Sequence, residues 1–333
     1  MSVWYQGEGK NSDVVLYSKV RLARNLADSP FPSRMSDEIR KNVTKKIYAT
    51  VKSSPLANEF DVINLSDVSN AKAASYAERQ LISKKFLRNK AKSSFILSKE
   101  EDVSVMLCEE DHIRINAFSE GDSLEKAYEK ANKLDELFIN SFKLAYNDKL
   151  GFLTASPMNL GTGMKASCVL HLPALVREGA IYRVSSTVGK LGLTLKEMFE
   201  GGAGDIFVLS NQVSLGISEK SAIDNLSSIC ATITAQEREA RESLKEDFSL
   251  EDKIYRTLGI MKSARKLESG EFLGFLSLLR LGISLGYLDI EYKTIGDFMY
   301  NLQDASIVAY ANKELDEITC AKARAEVVRK RLK

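Results

Sequence analysis

The segment Cys108-Glu109-Glu110-Asp111-His112-Ile113-Arg114 joins two short apolar runs, Val103–Leu107 and Ile113–Phe118. Both runs have the length and the residue types of strands, so together they predict two neighbouring strands joined by a polar turn. Three adjacent carboxylates repel one another, and the turn gains no stability from them. The acidic cluster is easier to explain if a cationic substrate or a phosphate-bound metal ion binds there.

Further strand-like and helical patterns surround this turn. Asp122 is the predicted N-cap of a helix, with Glu125 as its capping-box partner, and Ser218 is the predicted cap of a second helix that extends to about Glu246. Other strand-like runs occur at Asp13–Leu22, Ser93–Leu97, Ala166–Leu172, Asp205–Leu209 and Gln212–Leu215. From Leu250 onward the pattern is entirely helical. We therefore expect an α+β domain, residues 1–245, followed by a smaller all-helical domain, residues 246–333.

The composition excludes several classes of protein. Among 333 residues, 47 basic and 45 acidic side chains leave a net charge of +2, which gives no general attraction to nucleic acid. No apolar run approaches the roughly 20 residues of a membrane span, and the first residues lack the pattern of a signal peptide. The four cysteines are too far apart in sequence for a zinc site or a disulfide framework, which favours the cytoplasm.

The common nucleotide-binding and metal-binding motifs are absent from the sequence. It contains neither a P-loop nor a glycine-rich dinucleotide fingerprint. His112 and His171 are too few for a histidine-based metal site. We therefore expect no metal ion held directly by protein side chains.

Basic residues instead recur at the ends of predicted strands. Lys19 and Arg21 are two residues apart and point to the same face of a strand. Arg114 follows the acidic turn, and Lys165 and Lys196 lie near later strands. Gathered together, these cations would form a clamp for a polyphosphate. Taken one at a time, each is better explained as a solvated charge at a strand end.

Four motifs, in this order along the chain, resemble the phosphagen kinase superfamily of ATP:guanidino phosphotransferases, and its bacterial protein-arginine kinase branch in particular. They are Ser-Lys-Val-Arg-Leu-Ala-Arg-Asn (18–25), Glu-Glu-Asp-His-Ile-Arg (109–114), Ser-Pro-Met-Asn-Leu-Gly-Thr-Gly-Met-Lys-Ala-Ser (156–167) and Leu-Ser-Asn-Gln-Val-Ser-Leu-Gly (209–216). The resemblance implies a phosphagen-kinase-like catalytic domain, in which helices flank a mostly antiparallel sheet. It also implies a helical domain that mediates dimerisation and recognition.

The resemblance assigns roles to individual residues. It implies that Glu110 binds and orients a substrate guanidinium, with Glu200 as a second substrate carboxylate, and that Mg²⁺ is held through the phosphates of ATP. The residues that it places at ATP are Ser18, Lys19, Val20, Arg21, Leu22, Gln80, Arg114, Lys165, Ala166, Ser167, Cys168, Val169 and Lys196.

The chain departs from the family pattern at the phosphate contacts. Lys19, Lys165 and Lys196 stand where relatives have arginine, and lysine keeps the charge but loses the fork of donors. Two interpretations follow. One is a protein-arginine kinase that transfers the γ-phosphoryl group of ATP to protein arginines, with either full or impaired activity. The alternative is a catalytically degenerate relative that acts as a regulatory or scaffolding partner.

The resemblance also implies partners. They are protein substrates that carry arginine, a second copy of the chain in a homodimer, an activator protein and a stress-response protease system. Direct binding to nucleic acid or to a membrane is not expected. Synthesis of a free phosphagen is a third reading, disfavoured because the C-terminal region resembles the bacterial branch.

Overall fold

A computed structural model describes residues 4–5 and 9–332, apart from the side chain of Glu200. The described residues contain ten strands, which are β1 (Val15–Arg24), β2 (Phe60–Asn64), β3 (Ser94–Ser98), β4 (Val103–Leu107), β5 (Ile113–Glu120), β6 (Tyr146–Asn147), β7 (Gly151–Phe152), β8 (Met164–His171), β9 (Leu193–Glu197) and β10 (Ile206–Asn211).

Twelve α-helices occur in the same described part of the chain. They are α1 (Asp37–Lys52), α2 (Asn70–Glu78), α3 (Lys84–Arg88), α4 (Leu124–Ser141), α5 (Pro173–Arg177), α6 (Ile181–Lys190), α7 (Glu219–Ser243), α8 (Phe248–Ser263), α9 (Ser269–Ser284), α10 (Tyr292–Asn301), α11 (Asp304–Ala311) and α12 (Glu317–Arg331).

Eight strands form one antiparallel sheet in the order β2-β3-β4-β5-β1-β8-β10-β9. The short strands β6 and β7 form a separate hairpin. Strand β1 lies inside the sheet, between β5 and β8, although both partners follow it much later in the sequence. An antiparallel sheet with flanking helices, followed by a helical C-terminal region, confirms the predicted α+β fold class.

Helix α4 covers one face of the sheet and is anchored to β1. Its buried side chains recur at helical spacing, and among them Asp135 pairs with Arg24 of β1 at 2.7 Å. Arg24 also donates hydrogen bonds to the carbonyls of Ala23 and Thr162, and its guanidinium stacks 3.7 Å from the ring centre of Phe152. This one buried cation therefore holds together α4, the end of β1 and the segment before β8.

The prediction of Asp122 as the N-cap of α4 is wrong, because the cap position belongs to Ser123. The Asp122 carboxylate instead accepts a hydrogen bond from the Asn11 side chain. The backbone N–H of Ser123 donates to the hydroxyl of Ser18. Contacts with the segment before β1 and with β1 itself therefore replace a local capping box. The predicted cap at Ser218 is confirmed, since its hydroxyl accepts from the Ser221 N–H.

The predicted strand over Gln212–Leu215 is also wrong. Strand β10 ends at Asn211, whose side chain accepts from the Ala166 N–H and donates to the carbonyls of Met164 and Val213. This side chain takes over hydrogen bonds that a continuing ladder would have made. The residues that follow form an irregular segment.

The C-terminal helices pack against the sheet domain through specific contacts. The Glu78 carboxylate at the end of α2 accepts hydrogen bonds from the Ala305 N–H at 2.9 Å and the Ser306 N–H at 2.8 Å, at the start of α11. Trp4 stacks on Phe118 of β5 with ring centres 4.4 Å apart, and lies 5.3 Å from Tyr300 of α10. None of the helices in the described residues has the length and apolar character needed to cross a bilayer.

The Arg24–Asp135 pair gives a stability prediction. Asp135→Ala leaves a buried guanidinium without its counter-charge, and we expect the free energy of unfolding to fall by about 3–5 kcal/mol. Asp252→Ala breaks an exposed pair with Arg256, and should cost less than about 1 kcal/mol. Urea denaturation of both variants measures the difference, and equal losses would contradict the role given to the buried pair.

Candidate active site

The strand register gathers cationic side chains on one face of the sheet. Arg21 of β1 lies opposite Lys165 of β8, and Lys19 lies opposite Phe118 of β5. Since directly opposed residues project to the same side of an antiparallel sheet, Lys19, Arg21 and Lys165 share a face. Arg114, four residues before Phe118 on β5, projects to that face as well. Three neighbouring strands therefore supply four cations to one surface.

An open cleft of about 250 Å³ lies at one end of this face. It is smaller than the roughly 300–1,000 Å³ of pockets that enclose a whole drug-sized ligand, so it suits the reacting end of a larger ligand. Its lining combines cations, amides and one carboxylate, from Arg21, Glu110, Ser156, Met158, Asn159, Met164, Lys165, Thr194, Lys196, Asn211 and Gln212.

The acidic turn is the tip of the β4–β5 hairpin, and each of its three carboxylates is placed differently. Glu109 pairs with Arg114 and accepts from the Ser83 hydroxyl at 2.8 Å. Asp111 is buried and accepts from the Asn25 side chain at 2.6 Å. Of the three, Glu110 is the one that lines the cleft; about a third of its side chain (34%) is exposed, and one of its oxygens lies 4.0 Å from Arg114. Arg114 and the Asn25 amide thus offset the mutual repulsion that the sequence implies.

Glu109 is a site residue that the sequence pattern did not single out. Burial alone would raise the pKa of its carboxyl, but Arg114 and the Ser83 hydroxyl outweigh burial and hold the pKa below its ordinary value. Glu109 also accepts from the Glu110 N–H at 3.1 Å. It therefore stays ionised and fixes both the backbone of Glu110 and the side chain of Arg114.

Asp111 and His112 hold the turn against neighbouring segments. Asp111 accepts from the Ala155 N–H at 2.7 Å, which ties the turn to the loop that also lines the cleft. The His112 Nδ1 accepts from the Leu26 N–H, so its Nε2 carries the proton and donates to the Pro30 carbonyl. Burial lowers the pKa of this histidine, which fits a neutral, structural side chain.

The cations on this face of the sheet crowd one another. Burial, together with repulsion from Arg114 and Arg21, lowers the pKa of Lys19 to about 7. Burial and the same kind of repulsion lower the pKa of Arg21 to about 10 and also lower the pKa of Lys165. Crowded cations on one surface are a feature expected of a polyanion site.

Several residues of the predicted ATP-binding motifs face away from the cleft. Alternation along β1 and β8 turns their side chains into the core beneath the sheet, as found for Ser18, Val20, Leu22, Ala166 and Cys168. The side chains of Ser167 and Val169 lie on the same face as Lys165, with Ser167 opposite Lys19 and Val169 opposite Tyr17. The residues in the first group support the cation-bearing strands and offer no side chain to a ligand in the cleft.

Cys168 also takes part in a cluster that sequence spacing did not indicate. Potential ligand atoms of Asp122, Cys168 and Cys230 lie within 4.8 Å of one another. The three residues are far apart in the chain, and only the packing of α7 and the β5–α4 turn against β8 brings them together.

The remaining predicted residues have less direct placements. Gln80 adopts a left-handed backbone conformation (φ 61°), and its carbonyl accepts from Lys19 Nζ at 3.5 Å. Lys196 lines the cleft from β9. The side chain of Glu200 lies outside the described residues. Its backbone comes three residues after Glu197, the last residue of β9. The structure therefore joins Lys196 to the cleft, and the role of Glu200 stays a prediction.

The lowered pKa of Lys19 gives a pH prediction. A polyanion binds the charged ammonium, so binding must supply a proton to Lys19 once the pH exceeds about 7. Between pH 7.5 and 8.5 we expect the affinity of the wild-type protein for tripolyphosphate to fall. The fall should be up to about tenfold larger than that of Lys19→Arg, whose side chain stays charged over this range. Isothermal titration measures both proteins with the same ligand. Parallel pH curves would contradict a neutral Lys19 in the free protein.

Comparison with known proteins agrees with this geometry. The family model described as ATP:guanido phosphotransferase, C-terminal catalytic domain, matches residues 42–240. The model described as Protein-arginine kinase McsB C-terminal domain matches residues 247–333. Among solved structures, a taurocyamine kinase from Schistosoma mansoni superposes with a TM-score of 0.59 at 25% identity, covering 70% of this chain and 33% of that one. A lombricine kinase has a TM-score of 0.59 at 20% identity, covering 70% and 68%.

Curated relatives match over the whole length. The protein-arginine kinase of Clostridium acetobutylicum is 38% identical over 340 residues, which cover 100% of both chains. That of Geobacillus sp. is 36% identical over 341 residues, which cover 100% of this chain and 94% of the relative. With relatives 36–38% identical over the whole of this chain and both family models matched, the chain belongs to the protein-arginine kinase family of ATP:guanidino phosphotransferases.

Proposed function

We propose that this protein transfers the γ-phosphoryl group of ATP to arginine side chains of proteins. The observation that carries the proposal is the joint presence of Glu110 with Arg21, Lys165 and Lys196 around one cleft. A carboxylate is suited to a guanidinium, and a group of cations is suited to phosphates. The reaction needs both ligands next to each other.

Glu110 serves the guanidinium. Its two oxygens make a planar, paired match to two N–H groups of an arginine side chain. A guanidinium nitrogen is a poor nucleophile while the group is fully charged, since its pKa exceeds 12. Glu110 orients the group and accepts a proton from the attacking nitrogen. Glu109 is already paired with Arg114, so it positions Glu110 and does not compete for the substrate.

The cations serve the nucleotide. Arg21, Lys165 and Lys196 line the cleft, and Arg114 and Lys19 add positive charge from the same face of the sheet. This donor set fits the phosphates of ATP. Mg²⁺, carried on those phosphates, would neutralise charge on the transferred group when bound. Most of the catalysis in such a transfer comes from positioning and charge stabilisation.

The transfer balances without any further reactant. The arginine nitrogen forms a bond to the γ-phosphorus as the bond from that phosphorus to the bridging oxygen of ADP breaks. The proton lost by the nitrogen goes to Glu110. The cations stabilise the negative charge that develops on the transferred group and on the leaving oxygen.

The family resemblance adds further parts to the proposal. They are a homodimer, an activator protein, a stress-protease system as a partner, a role in the stress response and a cytoplasmic location. A division near residue 245 fits the gap between α7, which ends at Ser243, and α8, which starts at Phe248. These points remain predictions.

A kinase assay on Glu110→Gln tests the proposed function. The amide keeps the size of the side chain but cannot accept the proton, so we expect kcat to fall by about 10²–10⁴-fold. Mg-ATP affinity should change little, because the phosphates contact other residues. The measurement is acid-labile phosphoarginine in an arginine-rich protein, detected by mass spectrometry after incubation with Mg-ATP.

Glu100→Gln is the matched control, because this glutamate is exposed on the β3–β4 turn, away from the cleft. It should keep wild-type activity. If the wild-type protein forms no more phosphoarginine than Glu110→Gln does, the proposed function is wrong and the regulatory interpretation gains support.

A further inference from the structure

Large apolar side chains are exposed at the edge of the cleft. Met158 lines the cleft and is 69% exposed. Val213 and Leu215 are 47% and 44% exposed. They lie within three residues of Gln212, which lines the cleft together with Asn211. We name Met158, Val213 and Leu215 the apolar rim.

Hydrogen bonds from the Ser214 side chain and a close backbone contact hold the two segments of the apolar rim together. The Ser214 hydroxyl lies 2.9 Å from the carbonyl oxygen of Met158 and 2.8 Å from that of Leu160. Gly161 has a φ of +97°, and a Cβ there would lie 2.2 Å from the Ser214 carbonyl oxygen. The close contact between the backbones of residues 161 and 214 therefore requires glycine at position 161, and this contact holds the two segments of the rim together.

A third segment brings more apolar surface towards the same junction. The Phe152 N–H donates to the Gly161 carbonyl at 2.9 Å, which joins the β6–β7 hairpin to the rim segments. This hairpin exposes Tyr146 and Leu150. Six of the fifteen large apolar side chains exposed by the described residues come from residues 146–158 and 213–217. Concentrated exposure of this kind marks an interaction surface, whereas scattered apolar residues need no explanation.

The position of the rim identifies its occupant. In the proposed function, an arginine side chain enters the cleft towards Glu110, and the polypeptide on both sides of that arginine must then pass over the edge of the cleft. In an extended chain, the residues two positions before and after the arginine point to the same side as the arginine, each about 6.6–6.8 Å away. Side chains at these positions therefore point towards the protein surface at the edge of the cleft, where Met158 of the apolar rim lies.

We propose that the apolar rim binds the substrate polypeptide beside the target arginine, and that it selects arginines with apolar side chains two positions away in an extended segment. The inference rests on the proposed function and adds a substrate preference to it.

Two peptides of equal length and charge test the inference. Each carries one arginine, with leucine at both positions two residues away in the first and serine there in the second. For the wild-type protein we expect kcat/KM to be at least about tenfold higher for the leucine peptide, because each leucine loses water-exposed apolar surface on the rim. A ratio near one would overturn the inference, although phosphorylation of both peptides would still support the proposed function.

Variants of the rim connect the preference to the structure. In Val213→Ser/Leu215→Ser, the ratio of the two kcat/KM values should fall to about one. Tyr310→Ser is the matched control, because Tyr310 is 95% exposed on α11 and should leave the ratio unchanged. The fluorescence of Trp4, the only tryptophan, reports whether each variant keeps its packing against Phe118.

The remaining outcomes also decide the question. If the rim variant keeps the wild-type ratio and loses self-association in sedimentation velocity, the rim binds a second copy of the chain and the inference is overturned. If the wild-type protein phosphorylates neither peptide while its Trp4 fluorescence shows that it is folded, the proposed function fails, and the inference fails with it.

Discussion

Repulsion among the cations on one face of the sheet is the constraint around which this site is built. Lys19, Arg21 and Lys165 lie on adjacent positions of paired strands, and the ladder hydrogen bonds prevent them from moving apart. Two like charges 4 Å apart at an effective dielectric constant of 20 repel by about 4 kcal/mol. The protein limits this cost by pairing Arg114 with Glu109 and by letting Lys19 give up its proton near neutral pH.

The acidic turn complements this arrangement because its carboxylates are divided among separate tasks. Glu109 balances a cation, Asp111 ties the turn to the loop beside the cleft, and Glu110 lines the cleft itself, 4.0 Å from Arg114. One turn therefore both steadies the neighbouring cations and presents a partly exposed carboxylate to the cleft.

Much of the fold and part of the site could be predicted from local patterns. The spacing of Lys19 and Arg21 was sufficient to place both on one face, since alternation along a strand is a local property. A strand motif does not reveal which of its side chains reach a ligand, and Ser18 and Cys168 proved to face the core. Contacts between distant segments were also hidden, such as the Asn11–Asp122 hydrogen bond that replaced the predicted helix cap.

The strand order has a consequence for synthesis of the chain. Strand β1 is made first, but its partners β5 and β8 follow only after about 90 and 140 further residues, which at ~5–20 residues per second leaves it unpaired for seconds to tens of seconds. Its apolar run Val14-Val15-Leu16-Tyr17 is prone to associate with other nascent chains during this time. Lys19, Arg21 and Arg24 interrupt that apolar character and act as charged gatekeepers. The same cations thus protect the growing polypeptide before the sheet that gathers them has formed.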